Sequence, residues 1–101
     1  MSGSVEIDDR TVFVVAEEVL SNKLADEEAI LNLKSGVYYG LDPVGARVWE
    51  LVQTPISLAK LLETLLAEYD VEPGRLRRDI TALLEKLLSE GLVVIGNAKT
   101  P

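Results

Sequence analysis

Read for alternation of apolar and polar positions, the chain has a β-rich first part and a helical second part. Thr11-Val12-Phe13-Val14-Val15-Ala16 is β-branched and aromatic, the composition of a strand. Val19-Leu20 opens another short strand within the mixed segment Glu17 to Glu28. Ala29-Ile30-Leu31-Asn32-Leu33 and Val37-Tyr38-Tyr39-Gly40-Leu41 flank Lys34-Ser35-Gly36 and predict a β-hairpin, with Gly36 taking the positive φ of a bulge that ends a three-residue turn. That turn sets Leu33 opposite Val37 and Leu31 opposite Tyr39. Leu31, Leu33, Val37, Tyr39 and Leu41 then share one face, with Ile30, Asn32, Tyr38 and Gly40 on the other.

Three helices follow. Asp42 is placed as an N-cap with Pro43 at the first helical position, and Val44, Val48, Leu51 and Val52 recur at helical spacing with Trp49 beside them, until Thr54-Pro55. Ser57 caps the second helix, where Leu58, Leu61, Leu62, Leu65, Leu66 and Tyr69 form a broad stripe and Ile56 is placed to staple onto Leu61. The third begins near Pro73, carries Leu76, Ile80, Leu83, Leu84 and Leu87 on its inner face, and stops at Gly91 with Leu92 folding back on Leu87. Val93-Val94-Ile95 reads as a last short strand or extended tail.

Strands followed by three helices that cover one sheet face make an α+β domain. The spacing of the second and third helices is that of a helix-turn-helix, and with the hairpin it predicts a small winged helix-turn-helix-like unit: an N-terminal antiparallel three-stranded sheet, then three helices. Residues 11–96 form this domain, between a polar leader (1–10) and a short tail (97–101).

Composition narrows the function. The chain has 101 residues, enough for one core. It contains no Cys and no His, which removes thiol nucleophiles, the Ser-His-Asp triad, disulfides and the commonest zinc ligands. The polar N-terminus is not a signal peptide, and no apolar run is long enough to span a membrane, so a soluble cytoplasmic protein is expected. The net charge is −7, and residues 1–33 concentrate it, with eight acids against Arg10 and Lys23. A field of this sign repels phosphate backbones, which argues against a nucleic-acid partner.

No constellation in the sequence carries chemistry. Asp8-Asp9, Glu17-Glu18 and Glu27-Glu28 are adjacent acids in polar segments, without the facing geometry of an acid/base dyad. No loop has the ligand alternation of a calcium site, and the glycines form no phosphate-binding motif. No enzyme activity and no cofactor are expected. Arg75, Arg77 and Arg78 on the third helix are the one feature that suits DNA, and a winged-helix DNA-binding regulator is the alternative reading. Glu72, Asp79, Glu85 and Glu90 balance them together with Lys86. The hairpin's second strand suggests another use. If it lies at a sheet edge, its unpaired N–H and C=O groups can accept an extended peptide, with Tyr38 exposed and Gly40 leaving room for a second backbone.

The run from Ser35 to Leu51, with its Gly-aromatic hairpin, Leu41-Asp42, Gly45 one turn into a helix and Val48-Trp49, resembles the PqqD-like family of precursor-peptide recognition elements. Arg78-Asp79-Ile80, Leu83-Leu84, Leu87 and Gly91-Leu92-Val93 resemble that family's third helix and its exit. The similarity covers roughly residues 18–95 and is greatest to stand-alone members from lasso-peptide clusters. It implies a fold that does not bind DNA and a non-catalytic protein that clasps the leader of a ribosomally made precursor. The leader is held as an added antiparallel strand, for a separate cysteine-protease-type leader peptidase. Carried over by position, the augmenting edge is Val37, Tyr38, Tyr39, Gly40 and Leu41, and the far wall is Leu76, Asp79, Ile80, Leu83, Lys86 and Leu87. A Tyr and, three residues later, a Pro are the anchors such leaders are expected to bring.

Overall fold

A computed structural model describes residues 7–96. The tail placed at 97–101 and residues 1–6 of the leader lie outside them. The order of elements is β1 (Val12–Val15), β2 (Val19–Leu24), β3 (Glu27–Asn32), β4 (Val37–Leu41), α1 (Pro43–Leu51), β5 (Ile56–Ser57), α2 (Leu58–Glu68), α3 (Pro73–Ser89) and β6 (Val93–Gly96). This is the α+β domain the pattern predicts. The antiparallel three-stranded sheet with the hairpin is β2-β3-β4, while β1 joins a second sheet in the order β5-β1-β6. The final apolar run is therefore a strand, paired along β1 from Val12↔Gly96 to Val15↔Val93.

The helices start where capping chemistry puts them. Asp42 Oδ1 accepts from Gly45 N–H at 2.8 Å, and Ser57 Oγ accepts from Lys60 N–H at 3.1 Å, each satisfying an amide that its helix cannot. Glu72 does the same for α3, accepting from Gly74 and Arg75. At the far end of α3 the chain turns at Gly91, where φ is +74°, and Leu92 N–H bonds back to Leu87 C=O at 2.9 Å. The core between sheets and helices is filled by Phe13, Ile30, Val48, Trp49, Leu58, Leu61, Leu65, Ile80, Leu84, Leu87, Leu92 and Val93. Asp8–Arg10, read from sequence as loose leader, are tied down: Asp9 C=O accepts from Ala59 N–H, and the Asp9 carboxylate pairs with Arg77 on α3.

The hairpin register differs from the sequence reading by one residue. Asn32 pairs with Val37, Leu31 with Tyr38, Ile30 with Tyr39 and Ala29 with Gly40, so the turn is Leu33 to Gly36. Gly36 still holds the positive φ, at +74°. The slip leaves the faces of β4 as expected and inverts those of β3. Ile30 and Asn32 are buried on the inward face, which they share with the half-buried Tyr39 and the exposed Val37, Leu31 shares the outer face with Tyr38, and Leu33 is 51% exposed. The cause is the Asn32 side chain. Its Oδ1 accepts from the N–H groups of Lys34 (2.9 Å) and Ser35 (3.2 Å), which shapes the turn, and its Nδ2 donates to Glu90 C=O at 2.9 Å. A buried asparagine with these partners outweighs the burial of one more leucine.

An ion-pair chain links the hairpin sheet to the helices. Lys23 on β2 pairs with Glu50 on α1, Arg47 pairs with Glu50 at 3.0 Å, and Arg47 also grips Glu68 on α2 at 2.6 Å. Hydrogen bonds from Lys23 and Arg47 hold Glu50 below the ordinary carboxylate pKa, and the bond from Arg47 does the same for Glu68.

Two predictions follow from these contacts. Asn32→Ala should lower unfolding stability by roughly 1–3 kcal/mol, because the Glu90 carbonyl and two turn amides lose their partner. Leu33→Ala should stay within about 0.5 kcal/mol. Denaturant titration checks the pair, and the reverse ranking would restore the three-residue turn. For the ion pairs, depressed carboxylate pKa values contribute stability above the unfolded pKa of ~4.3, and that contribution disappears as pH falls through the folded values. The melting-temperature gap between the native chain and Arg47→Met should thus be widest near neutrality and narrow toward pH ~3. A gap that does not change with pH would remove the electrostatic account.

Candidate functional site

β4 is an edge of its sheet, since β3 is its sole strand partner among the described residues. Two backbone bonds reveal which of its groups are spent. Leu33 N–H donates to Glu18 C=O at 3.0 Å, toward β2, and Asn32 C=O accepts from Gly36 N–H at 2.7 Å, toward the β4 side. Backbone groups alternate sides along an antiparallel strand, so Ile30 and Glu28, in step with Asn32, also face β4. Their partners Tyr39 and Leu41, with Val37 opposite Asn32, turn N–H and C=O inward to the ladder. Tyr38 and Gly40 turn theirs to the open edge.

A groove runs between this edge and α3. Its larger cavity, about 640 Å³, is lined from β4 and the start of α1 by Gly40, Leu41, Asp42, Val44 and Gly45, and from the other side by Val71, Leu76, Asp79, Ile80, Leu83 and Lys86. A smaller one of about 140 Å³ continues it toward the end of α3, between Tyr39, Gly40 and Leu41 on one side and Leu83, Lys86, Leu87, Glu90 and Leu92 on the other. The floor is apolar. Leu76, Ile80 and Leu87 are buried and serve core and floor together, while Leu83 is half-buried. Asp79 and Lys86 stand with Leu83 along one stripe of α3, at steps of four and three residues.

The far end is latched. Tyr39 Oη donates to Glu90 Oε1 at 2.7 Å, and this bond, helped by desolvation, raises the phenol pKa above its ordinary value and keeps the hydroxyl a neutral donor. With the Asn32 bond to the Glu90 carbonyl, it ties β4 and the hairpin turn to the end of α3.

Nine of the eleven residues singled out from sequence line this groove: Tyr39, Gly40, Leu41, Leu76, Asp79, Ile80, Leu83, Lys86 and Leu87. Val37 and Tyr38 line neither cavity. Val37 is 45% exposed, and Tyr38, at 72%, stands on the outer face of the sheet. Sequence reasoning missed Asp42, Val44, Gly45, Val71, Glu90 and Leu92. Of these, Asp42 reads from sequence as a helix cap and Glu90 as charge balance. Gly40 has no φ that demands glycine, and a side chain there would meet nothing within 4 Å. The fold itself does not require a glycine at this point of the edge.

The arginines of α3 are partly committed. Arg77 is paired with Asp9, and Arg75 lies 3.9 Å from Asp79 one turn on. Among the described residues there is no cluster of three acids able to hold a metal ion, and no helix long and apolar enough to cross a membrane.

Comparison with known proteins gives this geometry a context. No curated protein matches the chain. Two solved structures share its fold over most of its length. "TbiB1 in Complex with the TbiA(beta) Leader Peptide" has a TM-score of 0.76 and 31% sequence identity, covering 85% of this chain and 99% of that one. "Lasso peptide synthetase B1 complexed with the leader peptide" has a TM-score of 0.72 and 27% identity, covering 81% of this chain and 96% of that one. The family described as Coenzyme PQQ synthesis protein D (PqqD) matches residues 27–93, from the start of β3 through α3 to the first residue of β6. By that match, which includes both walls of the groove, the chain belongs to the PqqD family.

Proposed function

We propose that this chain recognises the leader of a ribosomally synthesised precursor peptide, without acting on it chemically, and presents it to a separate leader peptidase. The leader adds to β4 as an antiparallel strand and lays alternate side chains against α3. The observation that carries this reading is the pairing of an open strand edge, with Tyr38 and Gly40 backbone groups unspent in the sheet, with an apolar groove alongside it. Both similar solved structures are complexes with leader peptides. With neither Cys nor His, the chain has no residues for a thiolate–imidazole peptidase, so cleavage falls to the partner, a cysteine-protease-type enzyme. The same fold suits a soluble cytoplasmic component of a lasso-peptide pathway.

The expected leader anchors fit the groove in one register. With the proline opposite Tyr39, a tyrosine three residues earlier falls opposite Asp42, one step beyond β4. Strand pairing has ended there, and the ring is free to turn toward the larger cavity beside Val44, Val71 and Leu76. An aromatic and a ring-constrained residue lose little rotamer freedom on docking, which suits a shallow apolar site.

The test is fluorescence anisotropy with labelled TbiA(beta) leader peptide and with duplex DNA at ~0.15 M salt. Micromolar or tighter binding of the peptide, and none of the DNA, is the expected outcome. Salt-sensitive DNA binding without a peptide response would favour a winged-helix regulator. The mode of binding has its own check. Tyr39→Pro removes a ladder donor and should cost about 1–3 kcal/mol of stability, whereas Tyr38→Pro should leave circular dichroism and melting nearly unchanged and abolish capture. Tyr38→Ala should keep binding, assigning the effect to the backbone. Normal capture by a folded Tyr38→Pro chain would place the peptide elsewhere.

A further inference from the structure

The direction of the backbone groups on β4 fixes more than the place of a bound strand; resting on the leader-binding reading, it also fixes the strand's phase. In an antiparallel ladder, paired residues either exchange both N–H···O=C bonds or none. Because the unspent groups belong to Tyr38 and Gly40, the peptide residues opposite these two are the ones that exchange bonds. Paired residues also share a face. Those same peptide residues therefore point outward, beside the exposed Tyr38 ring and over the bare Gly40. The residues opposite Tyr39 and Leu41 point inward, one toward the small cavity at Leu83, Leu87 and Leu92 and the next toward the larger one at Leu76 and Ile80. Their N–H groups face away from β4 and make no ladder bond.

We infer that the groove selects peptides by backbone chemistry in a two-residue phase. A residue without an N–H, whether proline or another N-alkylated residue, is accepted opposite Tyr39 and Leu41 and rejected opposite Tyr38 and Gly40. Side-chain selection runs in the same phase. Apolar groups are demanded at the inward positions, while the outward ones are free to vary, most of all opposite Gly40, where nothing crowds the surface. Proline is thus both admissible and favoured at an inward position: no hydrogen bond is lost, its ring meets an apolar floor, and its fixed φ lowers the entropy cost of ordering the strand.

The experiment is an N-methyl scan of the TbiA(beta) leader peptide against the full chain, one backbone nitrogen at a time, read by anisotropy and accompanied by amide hydrogen exchange of the chain with and without unmodified peptide. Across the paired stretch, affinity should fall by roughly tenfold or more at every second residue and change by less than about threefold at those between. In the free chain the Tyr38 and Gly40 amides should exchange fast and those of Tyr39 and Leu41 slowly, and the unmodified peptide should protect Tyr38 and Gly40. Fast exchange at Tyr39 and Leu41 instead would overturn the phase whatever the peptide does. Uniform losses, or none, with the unmodified peptide bound would overturn the selection rule and leave leader recognition intact. Failure of the unmodified peptide to bind would overturn the leader reading itself, and this inference with it.

Discussion

Asn32 divides one amide between two structural decisions. Its oxygen gathers the Lys34 and Ser35 amides and shapes the turn, and its nitrogen fastens that turn to the carbonyl of Glu90 at the end of α3. The first bond set fixes the register of β4 on β3, and the register decides that Tyr38 and Gly40, rather than Tyr39 and Leu41, present their backbone to the open side. The second bond, reinforced by the Tyr39–Glu90 hydrogen bond, decides where the α3 wall stands relative to that edge. A shift of one residue would send every inward side chain outward and leave the groove facing the wrong backbone groups.

Most of the architecture was legible because it rests on local chemistry. Asp42-Pro43, Ser57 and Gly91 mark helix boundaries through contacts within a few residues, and the apolar stripes of the three helices identify their buried faces without reference to anything distant. The existence of the hairpin and the faces of β4 were legible for the same reason. The register was not. Three- and four-residue turns are both compatible with Lys34-Ser35-Gly36, and what separates them is a bond from Asn32 to a carbonyl 58 residues away. Local alternation favoured burying Leu33, whereas tertiary structure buries Asn32.

The groove divides in the same way. Its apolar wall on α3 was readable, since Leu76, Ile80, Leu83 and Leu87 follow helical periodicity, and Asp79 and Lys86 follow from them geometrically. Val71 sits between helices where no periodicity applies. Glu90 looked like one more solvated acid, and its place in the site comes from the neighbouring hydroxyl of Tyr39. The extent of β2 was hidden as well: Ser21, Asn22 and Lys23 carry no strand signature and are held by pairing to β3. On its inner side the Lys23–Glu50–Arg47–Glu68 chain brings the sheet against α1 and α2, so polar residues with little propensity of their own support the strand that backs the site.

An edge that can accept any extended backbone is also a hazard to the molecule that carries it. The β4 edge lacks the usual defences of an exposed strand: no proline or lysine lies within Val37–Leu41, and Gly40 flattens its outer surface. What opposes edge-to-edge association of two copies is long-range repulsion, since each copy carries −7 with its acids concentrated in the first third of the chain, Glu27 and Glu28 of β3 among them. Colloidal behaviour and recognition are thereby separated. On the proposed reading, the acidity that repels an identical chain leaves a peptide of neutral or positive charge free to approach the open edge.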